Sequence, residues 1–422
     1  MTRFKNVETL TGERIDVQCG TSEDECDGSH LIKLPAIIDP HVHFRVPGAE
    51  YKEDWGTVAK GCVQRGVTTV FDMPNNTPAC TTLEAVLAKK ATIDSQLKEA
   101  KVNLRYHLYL GADRNHLEEI DRAKDEVVAI KVFMGSSTGT LLIDDDATLD
   151  EIFKRAAAVG KVVAVHAEDE EYLAKVAKDY SGAMDASAHS RLRPKEAAIL
   201  SVTKAIGFAK KHGTSLYILH VSTAEEIELI RQAKEEGVAV FCEVTMNHLF
   251  LDQGAYDQFG TLVQVNPPLR TKKDREALWA AIADGTVDTV ATDHAPHTLE
   301  EKKRPFGQAP SGIPGVETLS LLMLDAVAKG RLTFARFVEL TRTNIEKLFG
   351  LEPNDDFILV DRELTRELKL SDLTSKAGYS PYVGRRLQGW PICTLFSPKR
   401  AVQREDKLGN QRECVCTNVA AD

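Results

Sequence analysis

Residues 31–45 read "LIKLPAIIDPHVHFR", an apolar, β-branched run that ends in two histidines and an arginine, each two residues apart. Side chains alternate faces along a strand, so His41, His43 and Arg45 are expected to point the same way. Two imidazoles on one side of a strand end can grip a metal ion. The same residues would also suit the exposed face of an edge strand. The rest of the chain decides between these readings.

Working outward, residues 36 to about 345 alternate short β-rich runs with longer amphipathic stretches. "PAIIDPHVHF", "VTTVFDM", "NLRYHLYLGA", "VVAIKVFM", "KVVAVHAE", "TSLYILHVS", "VAVFCEVT" and "VDTVATDH" read as strands. Between them lie helical patterns such as "TLEAVLAKKATIDSQLKEA", "TLDEIFKRAAAVG" and "TAEEIELIRQAKEEG". The last carries a start signal at Thr223 and a stop signal at Gly237. This alternation predicts an α/β fold, either a (β/α)8 TIM-type barrel or an open doubly wound sheet. The polar residues break the tie. His41, His43, Lys131, His166, His220 and Asp293 fall at or near the carboxyl ends of different strands. A barrel gathers those ends at one mouth, whereas an open sheet spreads them along a line. The barrel is therefore assigned to 36–345. Residues 1–35 and 346–422 lie outside the alternation and are expected to form a small, composite, β-sandwich-like unit.

Bulk properties narrow the function. The chain has 422 residues, 43% hydrophobic and 27% charged, with net charge −10 and a sequence pI near 5.7. With no basic stripe, nucleic acid is not an expected partner. No apolar run approaches the roughly 20 residues of a membrane helix, and "MTRFKNVETL" lacks the layout of a signal peptide. Eight cysteines carry no C-x-x-C pair, so reduced thiols and a cytoplasmic location are expected. Cys414 and Cys416 in "ECVC" read as alternating residues of a terminal strand or tail, with metal binding or reactivity the other option.

Taken singly, His166 in "VVAVHAED" or His220 in "LYILHVST" reads as a hydrogen-bonded core histidine. Four histidines at three strand ends of one barrel point to zinc or a similar borderline ion. Lys131 sits in a buried strand, where an isolated ammonium carries a large desolvation cost. It either pairs with a carboxylate, snorkels outward, or adds carbon dioxide to become a carbamate able to bridge two metal ions. Four histidines exceed what one zinc with an open position needs, which favours the carbamate. Asp293 in "VATDHAPH" is a turn cap or, given the ligands around it, a metal ligand that moves protons.

These pieces in this order resemble the amidohydrolase superfamily over nearly the whole chain. Within it, "DPHVHFR" followed by "VPG", "DMPNNTP", "NPPLR" and "TDHAPHTLEEK" resemble the signatures of the dihydroorotase family. The resemblance implies two zinc ions per subunit, held by His41, His43, Lys131, His166, His220 and Asp293 and bridged by carboxylated Lys131 and a hydroxide. It implies hydrolysis of the cyclic amide of dihydroorotate to N-carbamoyl-L-aspartate, reversibly, in pyrimidine biosynthesis, with Asp293 as the catalytic proton carrier. Arg45 would read the ring carboxylate, and Asn75, Asn266, His297, Pro310 and Gly312 would contact the substrate. Ser137 and Thr138 match a mobile loop, or a mere glycine-rich turn. Val46 and the lone His248 in "TMNHLF" depart from the family pattern away from the metal ligands. A homodimer is expected, and assembly with aspartate transcarbamoylase is possible for the family. The rivals are a sister cyclic amidase (dihydropyrimidinase, hydantoinase or allantoinase) and a non-catalytic scaffold barrel.

Overall fold

The structure, a computed structural model, describes residues 2–19, 24–135 and 141–397, together with the backbone of 414–416. Among these, eight parallel strands follow one another around a (β/α)8 barrel: Ile37–Val42, Val67–Asp72, Arg105–Gly111, Ala129–Phe133, Val162–His166, Leu216–Ile218, Val240–Thr245 and Thr289–Ala291. Every run read as a strand contains one of them. The last strand meets the first through the parallel bridge Val42–His294 and the bond from His43 N–H to His294 O, 2.8 Å. The ring thus closes.

Alternation along each strand divides the barrel. Ile130, Val132, Val163, Val165, Cys242 and Val244 face outward into the core under the helices. Ala129, Val162, Ala164 and Tyr217 face inward with Phe71 and Tyr109. Ile345, on the helix Asn344–Phe349, closes the floor, where the Phe349 ring lies edge-on to Phe71 and Tyr217 at 5.0 and 5.4 Å between centroids. Burying side chains of this size contributes about 1.5–3 kcal/mol each. Helix starts follow local chemistry: Thr82 accepts from Ala85 N–H, and Thr223 forms a reciprocal capping box with Glu226.

Strands from both ends of the chain share a second sheet. Its order is Cys414–Cys416, Arg386–Leu395, Phe357–Glu367, Leu31–Pro35, Thr2–Thr9, Arg14–Cys19, with Glu25–Asp27 also on Thr2–Thr9. Leu31 and Leu359 pack within this sheet's own core, while Ile32, Leu34, Ile358 and Trp390 join the core beneath the barrel helices. Leu31–Pro35 runs almost without a break into the first barrel strand, so the sheet anchors the strand that carries His41.

One expectation fails here. The thiols are not all reduced, because Cys19 and Cys393 are joined in a disulfide, while Cys26, Cys62, Cys80 and Cys242 are free. The two partners are 374 residues apart, a pairing that no local spacing could reveal. Residues 414–416 do form a strand, antiparallel to Arg386–Leu395.

Candidate active site

The carboxyl ends of the strands surround a cavity of about 450 Å³. Its lining brings together His41, His43, Lys131, His166, His220 and Asp293 with Arg45, Asn75, Asn266, His297, Pro310 and Gly312. Phe133, Val265, Ala295 and Ser311 complete the wall. Ser137 and Thr138 lie outside the described residues.

The local backbone differs from simple strand alternation. The first strand ends at Val42, and Arg45 has φ +65°, so it reaches the cavity by a left-handed turn rather than by continued pleating. His220 and Asp293, each two residues beyond its strand, also have positive φ, +39° and +46°. Such conformations are costly for residues with a Cβ and cluster where function demands them. Lys131 is the middle residue of Ala129–Phe133 rather than its end, and the pleat turns it inward.

The imidazoles are held by partners behind them. Glu243, fully buried, accepts from His41 Nδ1 (2.8 Å), from the Tyr217 hydroxyl (2.8 Å) and from His220 N–H (3.2 Å). The Asn75 side-chain oxygen accepts from His43 Nδ1 at 2.7 Å. Both rings therefore carry the proton on Nδ1 and turn a bare Nε2 inward. Those Nε2 atoms lie 3.2 and 3.0 Å from Asp293 Oδ1. His166 gives Nε2–H to Glu168 (3.0 Å), which Arg193 grips through two nitrogens at 3.1 and 2.6 Å. Its Nδ1 lies 2.9 Å from His220 Nε2, and the buried His220 Nδ1 has no hydrogen-bond partner among the described residues.

Charge follows from burial and neighbours. Burial lowers His43 to about 4 and lowers His166 and His220 as well, so the rings are neutral, the form that binds metal. Burial would raise Asp293, but His41, His43 and Lys131 outweigh it and hold the carboxyl at about 2. Lys131 has no carboxylate within ion-pair distance among the described residues. Burial lowers it to about 7, and its Nζ sits 4.5 Å from the centre of the Phe133 ring. His41, His43 and Asp293 bring ligand atoms within 4.8 Å of one another. Neutral imidazoles with their second nitrogens tied off, beside an ionised carboxylate, suit a divalent metal. The residues fit one.

The opposite wall comes from loops. Arg45 donates through Nε to Pro296 O at 3.0 Å, and its Nη2 lies 3.2 Å from His297 Nε2. Asn266 is fixed by His189 Nε2 through its side-chain oxygen at 2.9 Å, leaving its amide hydrogens for the cavity. Gly312 N–H is committed to Gln264 O (2.9 Å), and the carbonyls of Pro310 and Gly312 accept from Lys302 and Tyr379. The Gly312 N–H is thus not available to a ligand, whereas both carbonyls keep a second lone pair. Gly312 itself is required by φ +142° and by Ala295 O, 2.4 Å from where a Cβ would sit.

Residues 32–354 match the amidohydrolase family. The chain belongs to that family. It is 38% identical over 400 residues to a dihydroorotase of Halobacterium salinarum, covering 92% of this chain and 90% of that one. A Brevibacillus brevis dihydroorotase is 33% identical, with 94% and 93% covered. Within the amidohydrolases, the chain therefore falls among the dihydroorotases. Among solved structures it resembles an L-hydantoinase (dihydropyrimidinase) from Arthrobacter aurescens, with TM-score 0.86, 27% identity and 94% of each chain covered. A dihydropyrimidinase from Brevibacillus agri gives 0.82 at 26% identity, with 94% and 93% covered. No helix among the described residues is long and apolar enough to cross a membrane.

Sequence reasoning missed Glu243, Glu168, His189 and Lys302. Glu243 and Glu168 had a signal, an acid at an inward-facing register of an apolar run, the same signal that exposed Lys131. His189 and Lys302 act across distant loops and had none.

Proposed function

We propose that the chain is a metal-dependent dihydroorotase that opens the cyclic amide of dihydroorotate to N-carbamoyl-L-aspartate and closes it in reverse. The observation that carries this reading is Arg45. Its guanidinium is half-buried on the cavity wall, and no carboxylate among the described residues lies within 4 Å of it. A cation with no direct carboxylate partner beside a metal-ligand cluster fits a ring that brings its own carboxylate. Dihydrouracil and hydantoin bring none. The likeness to hydantoinases supports a second reading, a sister amidase for uncharged rings, which gives Arg45 no work.

In this reading His41, His43, His166, His220, Asp293 and Lys131 hold two zinc ions. Burial keeps part of Lys131 as a free amine, which can add carbon dioxide: an N–C bond forms, a proton leaves, and the carbamate offers two oxygens. Bound zinc would polarise the scissile carbonyl and lower the pKa of the attacking water. The chain's own groups do the rest. Arg45, Asn266 and His297 seat the ring, and the water attacks the amide carbon. Asp293, ionised beside the two imidazoles, takes the water's proton and passes it to the ring nitrogen as the C–N bond breaks. We assign the barrel to 36–345 and the attached unit to 1–35 with 346–422. Turnover of zinc-supplied protein on L-dihydroorotate, against dihydrouracil and hydantoin, tests the proposal. Activity confined to the uncharged rings would overturn it.

A further inference from the structure

Lys52 belongs to none of the strands above, yet its Nζ lies 2.9 Å from His297 Nδ1. An ammonium only donates, so this contact calls for a bare Nδ1 and a ring proton on Nε2. Glu301 is the other candidate partner for Nδ1. Its Oε2 is 3.7 Å away, beyond hydrogen-bond reach, and it caps the next turn by accepting from Thr298 N–H. Glu301 Oε1 instead holds Lys52, at 3.1 Å. Nε2 lies 3.1 Å from Ser311 O, which accepts its proton, and 3.2 Å from Arg45 Nη2, a donor that would need it bare. The shorter contact from Lys52 and the Ser311 carbonyl together favour Nε2–H. Burial, then Arg45, Lys52 and Lys302, push the ring down to about 2, so it is neutral and only its tautomer is in question.

We infer that Lys52 is a positioning residue that locks His297 as an Nε2–H donor beside Arg45, so that this N–H, shared between Ser311 O and the substrate's carboxylate, supports the guanidinium in gripping that carboxylate. This rests on the reading of the cavity as a site for an anionic ring. The opposite tautomer would turn a lone pair toward that carboxylate and repel it. Lys52 therefore acts on affinity through His297, at one remove from the reacting amide.

The test compares the zinc-loaded full chain with Lys52→Met and Lys52→Arg, using two readouts. The first is kcat and KM for L-dihydroorotate. The second is the His297 tautomer, from nitrogen-15 spectra of histidine-labelled protein, its signal assigned with His297→Gln. Lys52→Met should raise KM about 10-fold, the worth of one charge-assisted hydrogen bond, with kcat and bound zinc preserved and the Nε2–H tautomer lost. Lys52→Arg, still a donor, should recover most of both. An unchanged KM with the tautomer retained would overturn the inference. So would a joint fall of kcat and zinc content, which would make Lys52 a support of the fold. If the unmodified chain fails to turn over dihydroorotate, the proposed function falls, and the tautomer in Lys52→Met alone decides the role of Lys52.

Discussion

The two walls of the cavity are built differently. On one side, His41, His43, Lys131 and His166 stand on or directly after barrel strands, and each imidazole is braced from behind by Glu243, Asn75 or Glu168. On the other, Arg45, Asn266, His297 and the 310–312 segment stand on loops tied together by Lys302, His189 and Lys52. The strand wall gathers braced imidazoles around one carboxylate. The loop wall is cationic, and among the described residues no carboxylate lies within ion-pair distance of Arg45. In the proposed function the difference divides the labour: the first wall does the chemistry and the second chooses the ring.

That division can be broken from either side. The largest effect should come from Asp293→Ala. Removing the proton carrier should cost about 10⁴-fold in kcat in both directions, while circular dichroism and thermal unfolding show the barrel intact. Comparable turnover with metal still bound would take Asp293 out of the mechanism.

Next in size is Arg45→Met, on the loop wall. Losing a charge-assisted fork should lower kcat/KM for dihydroorotate about 100-fold, with zinc content unchanged. A fall in zinc content would show that the two walls are not separate.

Glu243→Gln probes the bracing of the strand wall. Glu243 fixes the His41 tautomer and also accepts from His220 N–H, so its loss should weaken metal affinity about 10- to 100-fold in a chelator competition. KM measured at saturating zinc should hold.

The smallest effect concerns Lys302, whose ammonium is buried and, among the described residues, held only by the carbonyls of Gln264 and Pro310. Burial lowers it from the ordinary 10.5 to about 7. The unfolded chain therefore binds the proton more tightly than the folded one between those values, and stability should rise as pH climbs from about 7 toward 10. Lys302→Met should lose that part of the rise, read from urea midpoints at pH 7 and 9.5. It should also raise KM a few-fold by loosening the 310–312 wall.

The same contrast explains what the sequence could tell. Strand groups obey a period of two, so His41, His43 and His166 announce their direction through the apolar residues around them. Lys131 stood out as a charge in a buried run, although pleating rather than a strand end turns it inward. Arg45 was expected on the right face for the wrong reason, since a left-handed residue aims it. The links from Lys52 to His297 and from His189 to Asn266 span 245 and 77 residues. They exist only because the barrel brings separate loops together, and no local pattern encodes them. The Cys19–Cys393 disulfide was hidden for the same reason.

The central claim is that one cavity joins a metal-ligand cluster to a carboxylate-reading arginine. The most direct measurement is turnover by the zinc-supplied chain and by Arg45→Met, each on L-dihydroorotate, dihydrouracil and hydantoin. The account predicts that the unmodified chain acts on dihydroorotate alone and that Arg45→Met loses this activity while keeping its zinc. Turnover of an uncharged ring by the unmodified chain, indifferent to Arg45, would contradict it.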